Sequence, residues 1–438
     1  MTGILDIAIT RERLVDGTPE EQASFGCFTI SAAHSLLTEG IDFYIQGYRP
    51  GPMVGGYYVA EWFLWNWWRL RWEPRTAADD WHLAHSMASI GDGYRWPNIT
   101  IWSDGVRVAL LAKPSAPEAV PFRYLMDRAV VVPAVDFERA VDQFLPVVLE
   151  RVREAGLGDT NLSRLWEEVL GERADPALAR FRKLEASLGY GPGVLDDGIV
   201  EELLQKGMRY GASALDEIAA DLAVRQDHGD GSPPVAPAFE QFAIADGSII
   251  QERDGVDLSP APALGANDAP WRIARQMAAQ VRAKVSLGAS PITNARLAGL
   301  AGTSPGVIET IDRLTDHTFV LRGFGDGRLV LRSKWETGRR FDLARLIGDR
   351  LMFGRDEPLA PATRAFTYRQ KAQRAFATEL LAPIDALTGF LNGDFSDDRQ
   401  REAAEYFQVS EMAVENHLKN NRLIPRDGDG DFPEPLAA

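Results

Sequence analysis

The chain has 438 residues, of which 45% are hydrophobic and 25% charged, so it is long enough for two to four domains with real cores. Its formal net charge of -16 disfavours unspecific attraction to DNA or to an anionic lipid surface. The single cysteine, Cys27, excludes an internal disulfide, and no stretch is typical of a signal peptide or a membrane span, so we expect a cytoplasmic protein.

Residues 1–135 predict a mixed α/β domain that is rich in tryptophan. Runs of β-branched and aromatic residues, broken by Gly, Asp and Pro, indicate strands, and two tryptophan-bearing stretches indicate helices. Eight of the eleven tryptophans fall here. On one continuous helix, Trp65, Trp68 and Trp72 would share a face. That face favours a bulky core, and a groove for a ligand or a partner is the alternative.

Two histidines in the same region, His82 and His85, lie at helical spacing. Such a pair can share a helix face, but no general base and no matched third ligand accompany it. Packing is therefore favoured over metal binding. An enzyme with its site in residues 1–135 is kept as one hypothesis for the function.

The remaining chain divides into four further regions. Residues 136–225 predict a helical bundle, because apolar residues recur at three- and four-residue spacing between Gly and Pro breaks. Residues 226–268 are rich in Pro, Gly, Asp and Ala and predict a linker, in which "FAIADGSII" is compatible with a docked strand. Residues 269–425 predict an α+β domain, and residues 426–438 a disordered tail.

The domain at 269–425 begins with two predicted helices, and "TFVLRGFGDGRLVLRSKW" then predicts a β-hairpin. Its glycines lie between strands with no phosphate-binding Lys and no helix after them, so they indicate a turn at Gly325–Gly327. Two longer helices follow, in "RRFDLARLIGDRLMFG" and "TYRQKAQRAFATELLAPIDALTGFL". A small helix-turn-helix is predicted at residues 401–419.

This order of elements resembles the ImmA/IrrE family of metallopeptidase-like proteins. The family's RFTLAHELGH-type helix is matched at Arg340, Phe341, Leu343, Ala344 and Gly348. Its FAAELLMP-type motif is matched at Phe376, Ala377, Glu379, Leu380, Leu381 and Pro383. The resemblance implies a zincin-like α+β domain followed by a helix-turn-helix, and it does not extend to residues 1–225.

The chemistry departs from the family pattern. In an H-E-x-x-H helix, two imidazoles four residues apart bind one zinc ion, and the Glu acts as general base. Here these positions hold Arg345, Leu346 and Asp349, and the acidic third-ligand position falls on Gln370 or Ala372. An arginine repels a dication and a leucine accepts no proton. We therefore expect a pseudo-peptidase with no catalytic residue, no metal and no cofactor.

Arg345 and Asp349 lie four residues apart, which predicts a guanidinium–carboxylate pair on one helix face. An exposed pair would contribute little to stability. A buried pair would need further hydrogen bonds, for which Gln370 is well placed in the sequence. A partly buried pair is the favoured interpretation, and an exposed salt bridge is the alternative.

The predicted helix-turn-helix carries little positive charge. Residues 397–425 hold six acidic against four basic side chains, and the second helix opens with Glu411. DNA-binding faces need Lys and Arg, so packing is favoured over DNA contact.

These observations predict a catalytically inactive regulatory or scaffold protein that binds a protein partner. The resemblance implies a bacterial stress-response, mobile-element or phage-defence setting. A DNA-binding transcription regulator is the first alternative, and the enzyme with an N-terminal site is the second. The sequence names neither the partner nor the oligomeric state.

Overall fold

The computed structural model describes residues 5–225, 234–258, 268–309, 315–323 and 326–425, and these form a mixed α+β protein, as predicted. They contain eighteen α-helices and fourteen strands in four small antiparallel sheets. Two compact units divide the described chain: the first lies within Met1–Glu201 and Ala223–Pro234, the second within Glu202–Leu222 and Val235–Ala438. None of the helices in the described ranges is both long and apolar enough to span a membrane.

The first unit carries ten strands and seven complete helices. Its strands are β1 Asp6–Arg11, β2 Phe25–Ala32, β3 Ser35–Leu36, β4 Gly40–Asp42, β5 Gly47–Arg49, β6 Met53–Gly55, β7 Ile99–Ser103, β8 Arg107–Ala112, β9 Phe122–Tyr124 and β10 Arg128–Pro133. Its helices are α1 Pro19–Ser24, α2 Gly56–Trp65, α3 Trp67–Trp72, α4 Asp79–His85, α5 Ala134–Glu154, α6 Asn161–Ala174 and α7 Pro176–Ser187, with a 3₁₀ turn at Met87–Ser89.

Three sheets build this unit. One has the order β1-β2-β3 with β6 also on β2, the second the order β10-β8-β7, and the third the order β5-β4-β9. The central strand β8, with sequence RVALLA, is buried along its whole length, because it lies between two neighbours and has apolar residues on both faces.

Helix α5 shows why the first unit extends beyond the predicted boundary at residue 135. Its apolar stripe, which includes Phe137, Phe144 and Val148, repeats at helical spacing and is buried in the same core as the tryptophan helices. Residues of α6 and α7 join that core as well. The predicted separate bundle at 136–225 is therefore not a structural unit, because its first three helices bury their apolar faces against the preceding residues.

The second unit contains the rest of the described helices and one sheet. The helices that lie wholly or partly in it are α8 Asp197–Tyr210, α9 Ala212–Arg225, α10 Phe239–Asp246, α11 Pro270–Lys284, α12 Asn294–Ala301, α13 Gly306–Glu309, α14 Glu336–Phe353, α15 Tyr368–Leu381, α16 Ile384–Leu391, α17 Asp397–Phe407 and α18 Glu411–Asn420. Its strands are β11 Ser248–Ile250, β12 Thr318–Leu321, β13 Gly327–Val330 and β14 Leu359–Ala362, in the order β11-β13-β12-β14.

The region predicted as a linker contributes ordered elements to this sheet and its core. Strand β11 pairs antiparallel with β13, which confirms the docked strand, but the preceding "FEQFAIAD" is the helix α10 rather than part of that strand. Phe239 of α10 is buried against Phe319 of β12. Residues 226–233 and 259–267 of the predicted linker, and the predicted tail 426–438, lie outside the described residues.

The predicted hairpin is formed by β12 and β13, which pair with Val320 opposite Leu329. Gly325 of its predicted turn lies outside the described residues. Helices α14 and α15 follow the hairpin and pack on each other in the main apolar core of the unit. The residues predicted from the sequence, Arg345, Asp349 and Gln370, lie on these two helices.

Candidate functional site

Helices α14 and α15 approach each other closely at Gly348. A Cβ atom at this position would lie 2.5 Å from Cδ1 of Phe376, so only a residue without a side chain fits. The close approach brings the polar residues of α14 against those of α15. Below we call the buried set Arg345, Asp349, Arg369, Gln370 and Gln373 the polar centre.

Arg345, at the first ligand position of the family pattern, is 1% exposed. Its Nη2 atom donates to the carbonyl oxygen of Thr363 at 2.7 Å, to Oε1 of Gln370 at 2.5 Å and to Oε1 of Gln373 at 3.2 Å. Burial, together with the nearby Arg374 guanidinium, holds the pKa of Arg345 well below its usual range. The contact with Gln370 confirms that this residue supplies a hydrogen bond to Arg345.

Asp349 is completely buried and pairs with Arg369, not with Arg345. The Arg369 guanidinium donates from Nε to Oδ1 at 2.7 Å and from Nη2 to Oδ2 at 2.8 Å, a bidentate geometry. The predicted pair between Arg345 and Asp349 is therefore wrong. The physical reason is that Arg369, on the facing helix, reaches both carboxylate oxygens, whereas Arg345 turns towards carbonyl groups.

Gln373 joins the two charged groups. Its Oε1 accepts from Arg345, and its Nε2 donates to Oδ1 of Asp349 at 2.7 Å. Burial acts to lower the pKa of Arg369, but the Asp349 carboxylate outweighs it and raises that pKa above its usual value. The Gln373 amide therefore links the buried Arg345 guanidinium to the buried ion pair of Asp349 and Arg369 in one hydrogen-bond network.

The glutamines also cap the outer side of the edge strand β14. The carbonyl oxygen of Pro361 accepts from Nε2 of Gln370 at 3.2 Å and from Nε2 of Gln373 at 3.1 Å. The backbone N–H of Thr363, which follows the strand, donates to Oε1 of Gln370 at 2.9 Å. Side chains therefore satisfy backbone groups that an added strand would otherwise pair with.

Leu346, at the general-base position of the family pattern, lies in the apolar core and is 4% exposed. Ala372, the alternative third-ligand position, is also in that core. Neither side chain has an atom that could bind a metal or accept a proton.

Helix α9 borders the polar centre with acidic and hydroxyl groups. Its Glu217 accepts from Oγ1 of Thr367 at 2.7 Å, and burial raises the pKa of this carboxyl although Arg369 opposes the rise. Ser213 accepts from Nη1 of Arg369 at 2.7 Å. The Glu357 carboxylate caps the start of α9, where it accepts from the backbone N–H groups of Ser213 and Ala214 at 2.7 and 2.9 Å.

The donor set of the polar centre does not fit a zinc ion. A zinc site needs three or four deprotonated N, O or S ligands around one point. Both oxygens of Asp349 are engaged by Arg369, and the neighbouring Arg345 is a buried cation. Across the described ranges, no group of three or more His, Cys, Asp or Glu side chains is placed to hold a metal.

Sequence reasoning missed Arg369 and Gln373. The signal that was available is the stripe Arg369, Gln370, Gln373 and Arg374, which recurs at three- and four-residue spacing within "YRQKAQRAFATELL". A polar stripe on a helix that also carries a core motif indicates polar side chains turned inward.

The three tryptophans proposed as a groove do not share a face. The helical pattern breaks at Asn66, so Trp65 ends α2 and is 57% exposed, whereas Trp68 and Trp72 belong to α3. Trp68 is buried and donates from Nε1 to Glu172 at 2.6 Å. The half-buried Trp72 has the Arg71 guanidinium 4.0 Å and the Lys183 ammonium 4.1 Å from its ring centre.

The two histidines, His82 and His85, lie in different environments. His82 is exposed, whereas His85 is fully buried and stacks on Trp81 with ring centres 4.1 Å apart. The His85 ring nitrogens face two acceptors, the carbonyl oxygen of Ile101 at 2.7 Å and Oε2 of Glu73 at 3.0 Å. Burial alone would raise the pKa of Glu73, but hydrogen bonds from His85 and Arg69 lower it. His85 therefore satisfies buried acceptors, which is a packing role.

Near the C-terminus, α17 and α18 pack on each other across a short turn in which Gln408 adopts φ 54°. The exposed side of α18 opens with Glu411, which lies 3.5 Å from Arg401, while Glu415 forms an ion pair with Lys419 at 2.8 Å. The basic groups are thus partnered by acidic ones on the same surface.

A scan against models of protein families, a search of curated proteins and a search of solved structures found no match to this chain. The ImmA/IrrE resemblance therefore stays a prediction from the two motifs.

Proposed function

We propose that the second unit is a catalytically inactive, ImmA/IrrE-like module of a regulatory or scaffold protein that binds a protein partner without cutting it. The observation that carries the proposal is the pairing of Asp349 with Arg369 beside the buried Arg345. In the family pattern these helix positions serve a zinc ion and its water. Here they serve hydrogen bonds that join α14 to α15.

The energetics support a structural use of these positions. A buried ion pair is retained only when further hydrogen bonds offset the loss of hydration. Asp349 accepts three such bonds, two from Arg369 and one from Gln373. Removing Arg369 to admit a cation would leave its partner groups unsatisfied, so metal binding would disrupt the contact between the helices.

A metal analysis tests the inactive state. We expect the purified full-length chain to hold no stoichiometric zinc, and a chelator to leave its Tm unchanged, because no open ligand set surrounds Asp349. Elemental analysis and thermal unfolding with and without chelator are the measurements. One zinc ion per chain, lost in Asp349→Ala, would overturn the proposal.

A capture experiment tests the partner. The tagged full-length chain is incubated with lysate of its native host, and bound proteins are eluted and measured by mass spectrometry for both identity and intact length. We expect at least one saturable partner that is recovered uncut after prolonged incubation. Recovery of cleaved fragments, produced by wild-type chain but not by chain with Asp349→Ala, would contradict an inactive module.

A further inference from the structure

The small sheet β5-β4-β9 of the first unit has one buried side and one exposed side. Residues that pair directly across neighbouring antiparallel strands point to the same side of a sheet. Ile41 of β4 pairs with Tyr48 of β5 and with Arg123 of β9, and Tyr48 is exposed. The next pair along the strands, Asp42 and Phe122, is buried. The sheet therefore turns one side inward and the other to solvent.

The exposed side extends by one residue at each end of β4. The backbone N–H of Leu125 donates to the carbonyl oxygen of Glu39 at 3.1 Å. The backbone N–H of Phe43 donates to the carbonyl oxygen of Pro121 at 2.9 Å. These bonds continue the ladder between β4 and β9, so the alternation of sides continues with it. Below we call the exposed side the outer face, which carries Glu39, Ile41, Phe43, Tyr48, Arg123 and Leu125.

Large apolar side chains cover the outer face and the turn beside it. Phe43, Tyr48 and Leu125 on the face, with Tyr44 and Ile45 in the turn from β4 to β5, are between 39% and 85% exposed. Taking roughly 200 Å² for a fully exposed large side chain, they present on the order of 500 Å² of mostly apolar surface. A standard interface buries about 800 Å² on each partner, of which about 57% is apolar. These five side chains therefore supply the apolar share of one interface.

Hydrogen bonds hold the hairpin of β4 and β5 in its shape. The Asp42 carboxylate accepts from the backbone N–H of Tyr44 at 2.8 Å and from Nε of Arg49 at 2.6 Å, which fixes the turn. At the other end of the hairpin, Oγ1 of Thr38 donates to the carbonyl oxygen of Pro50 at 2.9 Å. A surface that is already ordered loses little conformational freedom on binding, so more of its burial contributes to affinity.

The outer face carries one acidic and one basic side chain, which bind different neighbours. Oε2 of Glu39 accepts from the hydroxyl group of Tyr48 at 3.0 Å. Nη1 of Arg123 donates to the carbonyl oxygen of Pro117 at 2.9 Å, and its guanidinium lies 5.7 Å from the Phe43 ring centre. Within the part of the chain that the structure describes, neither Glu39 nor Arg123 forms an ion pair. The face is thus neutral as a whole, and both of its charges are open to a partner.

We propose that the outer face packs on the same face of a second copy of this chain. In a two-fold contact the same residues of both copies meet reciprocally, so Glu39 of each copy pairs with Arg123 of the other. The neutral face lets two chains of net charge -16 meet without local repulsion. A foreign partner would need its own matching pair of charges, whereas a second copy already carries them. This surface lies in the first unit and is independent of the proposed function.

Sedimentation equilibrium of the full-length chain tests the dimer. Interfaces of standard size bind with a micromolar or lower Kd, so we expect twice the mass of one chain at about 100 µM. Tyr48→Asp places a charge within the outer face and should weaken self-association by at least about tenfold. Val15→Asp, at an exposed apolar position that is not part of the outer face, should leave the mass unchanged. A dimer that is equally strong in Tyr48→Asp uses another surface and overturns the proposal.

Charge reversal tests the reciprocal ion pairs. Glu39→Arg and Arg123→Glu each place like charges opposite each other in the two-fold contact, so each variant alone should self-associate about 100-fold more weakly. An equimolar mixture of the two variants restores unlike charges at both contacts, and its Kd should lie within about tenfold of the wild-type value. The Tm of each variant shows whether it is folded. A mixture that stays as monomeric as its components contradicts the reciprocal pairs.

A lipid surface is the other occupant that an exposed aromatic turn can take. Flotation of the full-length chain with phosphatidylcholine vesicles measures this binding, and we expect the chain not to float. A chain that is monomeric at about 100 µM overturns the dimer. If that monomer also floats with the vesicles and Tyr48→Asp does not, the outer face binds lipid instead. The zinc measurement concerns the second unit, so the dimer can fail while the inactive-module proposal stands.

Discussion

At the scale of single residues, the buried Asp349 carboxylate makes the second unit sensitive to substitution of its partners. Among the described residues, it accepts hydrogen bonds from the Arg369 guanidinium and from the Gln373 amide. Removing one member of a buried pair leaves the other charge without a partner in a medium of low polarity. The stability of the α14–α15 contact therefore depends on three side chains from two helices.

We expect Arg369→Ala to destabilise the protein by about 3–5 kcal/mol, because it leaves the buried Asp349 carboxylate unpaired. Urea unfolding followed by a probe in the second unit measures the change. Asp398→Ala, which removes an exposed ion pair with Arg401, is the matched control and should have no measurable effect.

A double-mutant cycle between Arg369 and Asp349 should give a strong coupling, because the two side chains are in direct contact. A cycle between Arg345 and Asp349 should give a smaller coupling, because Gln373 lies between them and bonds to both. Equal coupling in the two cycles would mean that Arg345 and Asp349 interact directly after all.

The stability of the protein should depend on pH because the pKa of His417 is lower in the folded protein than in the unfolded chain. Burial and the nearby Arg275 lower its pKa from 6.5 to about 4, and Glu379, at 3.7 Å from Nε2, is already engaged by Arg275. Between these two values the unfolded chain binds a proton that the folded chain does not. The stabilisation by neutral His417 is thus complete above pH 6.5 and is lost as the pH falls towards 4, by up to about 3 kcal/mol.

We expect NMR titration of the His417 ring to show a midpoint near pH 4. In His417→Asn, the free energy of unfolding should vary less with pH between 4 and 6.5 than it does in the wild-type protein. His82→Asn, at an exposed histidine, serves as the control. A ring midpoint near 6.5 would show that the burial of His417 is incomplete in solution.

At the scale of elements, the contact between α14 and α15 depends on Gly348. We expect Gly348→Ala to destabilise the protein by about 1–3 kcal/mol, because the new methyl group would overlap the Phe376 ring. Gly389→Ala in α16, where a Cβ meets nothing within 4 Å, should instead stabilise by about 0.5–1 kcal/mol. Urea unfolding of both variants is the measurement, and a neutral Gly348→Ala would show that the helices can separate without cost.

Helices and strands with a regular spacing of apolar residues were predictable from the sequence. The residues at which they begin and end, and the elements they pack against, were harder to predict. The antiparallel hairpin of β12 and β13 follows from alternating residues around a Gly-rich turn. The break at Asn66 does not, because the tryptophan pattern is continuous there. In the structure, Nδ2 of Asn66 donates to the carbonyl oxygen of Trp62 at 2.9 Å, a local hydrogen bond that competes with the helix.

The same limit applies to the polar centre. The i, i+4 rule finds pairs on one helix, so it selected Arg345 and Asp349. The observed partner of Asp349 lies on the next helix, where its reach depends on how α14 and α15 are aligned, and that alignment depends on Gly348 and Phe376. Gln370 was found because the family pattern already pointed to its position.

At the scale of the whole molecule, the net charge of -16 bears on the DNA-binding alternative. Phosphate contacts supply most unspecific affinity, and the basic groups of α17 and α18 are near acidic ones. We expect the protein to bind random duplex DNA more weakly than about 10⁻⁴ M, as measured by gel shift at physiological salt. Micromolar binding that weakens steeply with salt and is lost in Lys419→Glu would favour a transcription regulator.

The capping of α9 by Glu357 has a consequence for the order of events during synthesis. Ser213 and its partner Glu357 are 144 positions apart, and Arg369 is 156 positions from Ser213. At roughly 5–20 residues per second, the ribosome needs on the order of ten seconds or more to supply these partners. During that interval the nascent α9 exposes its apolar side, and we therefore expect a chaperone to bind this segment of the emerging chain.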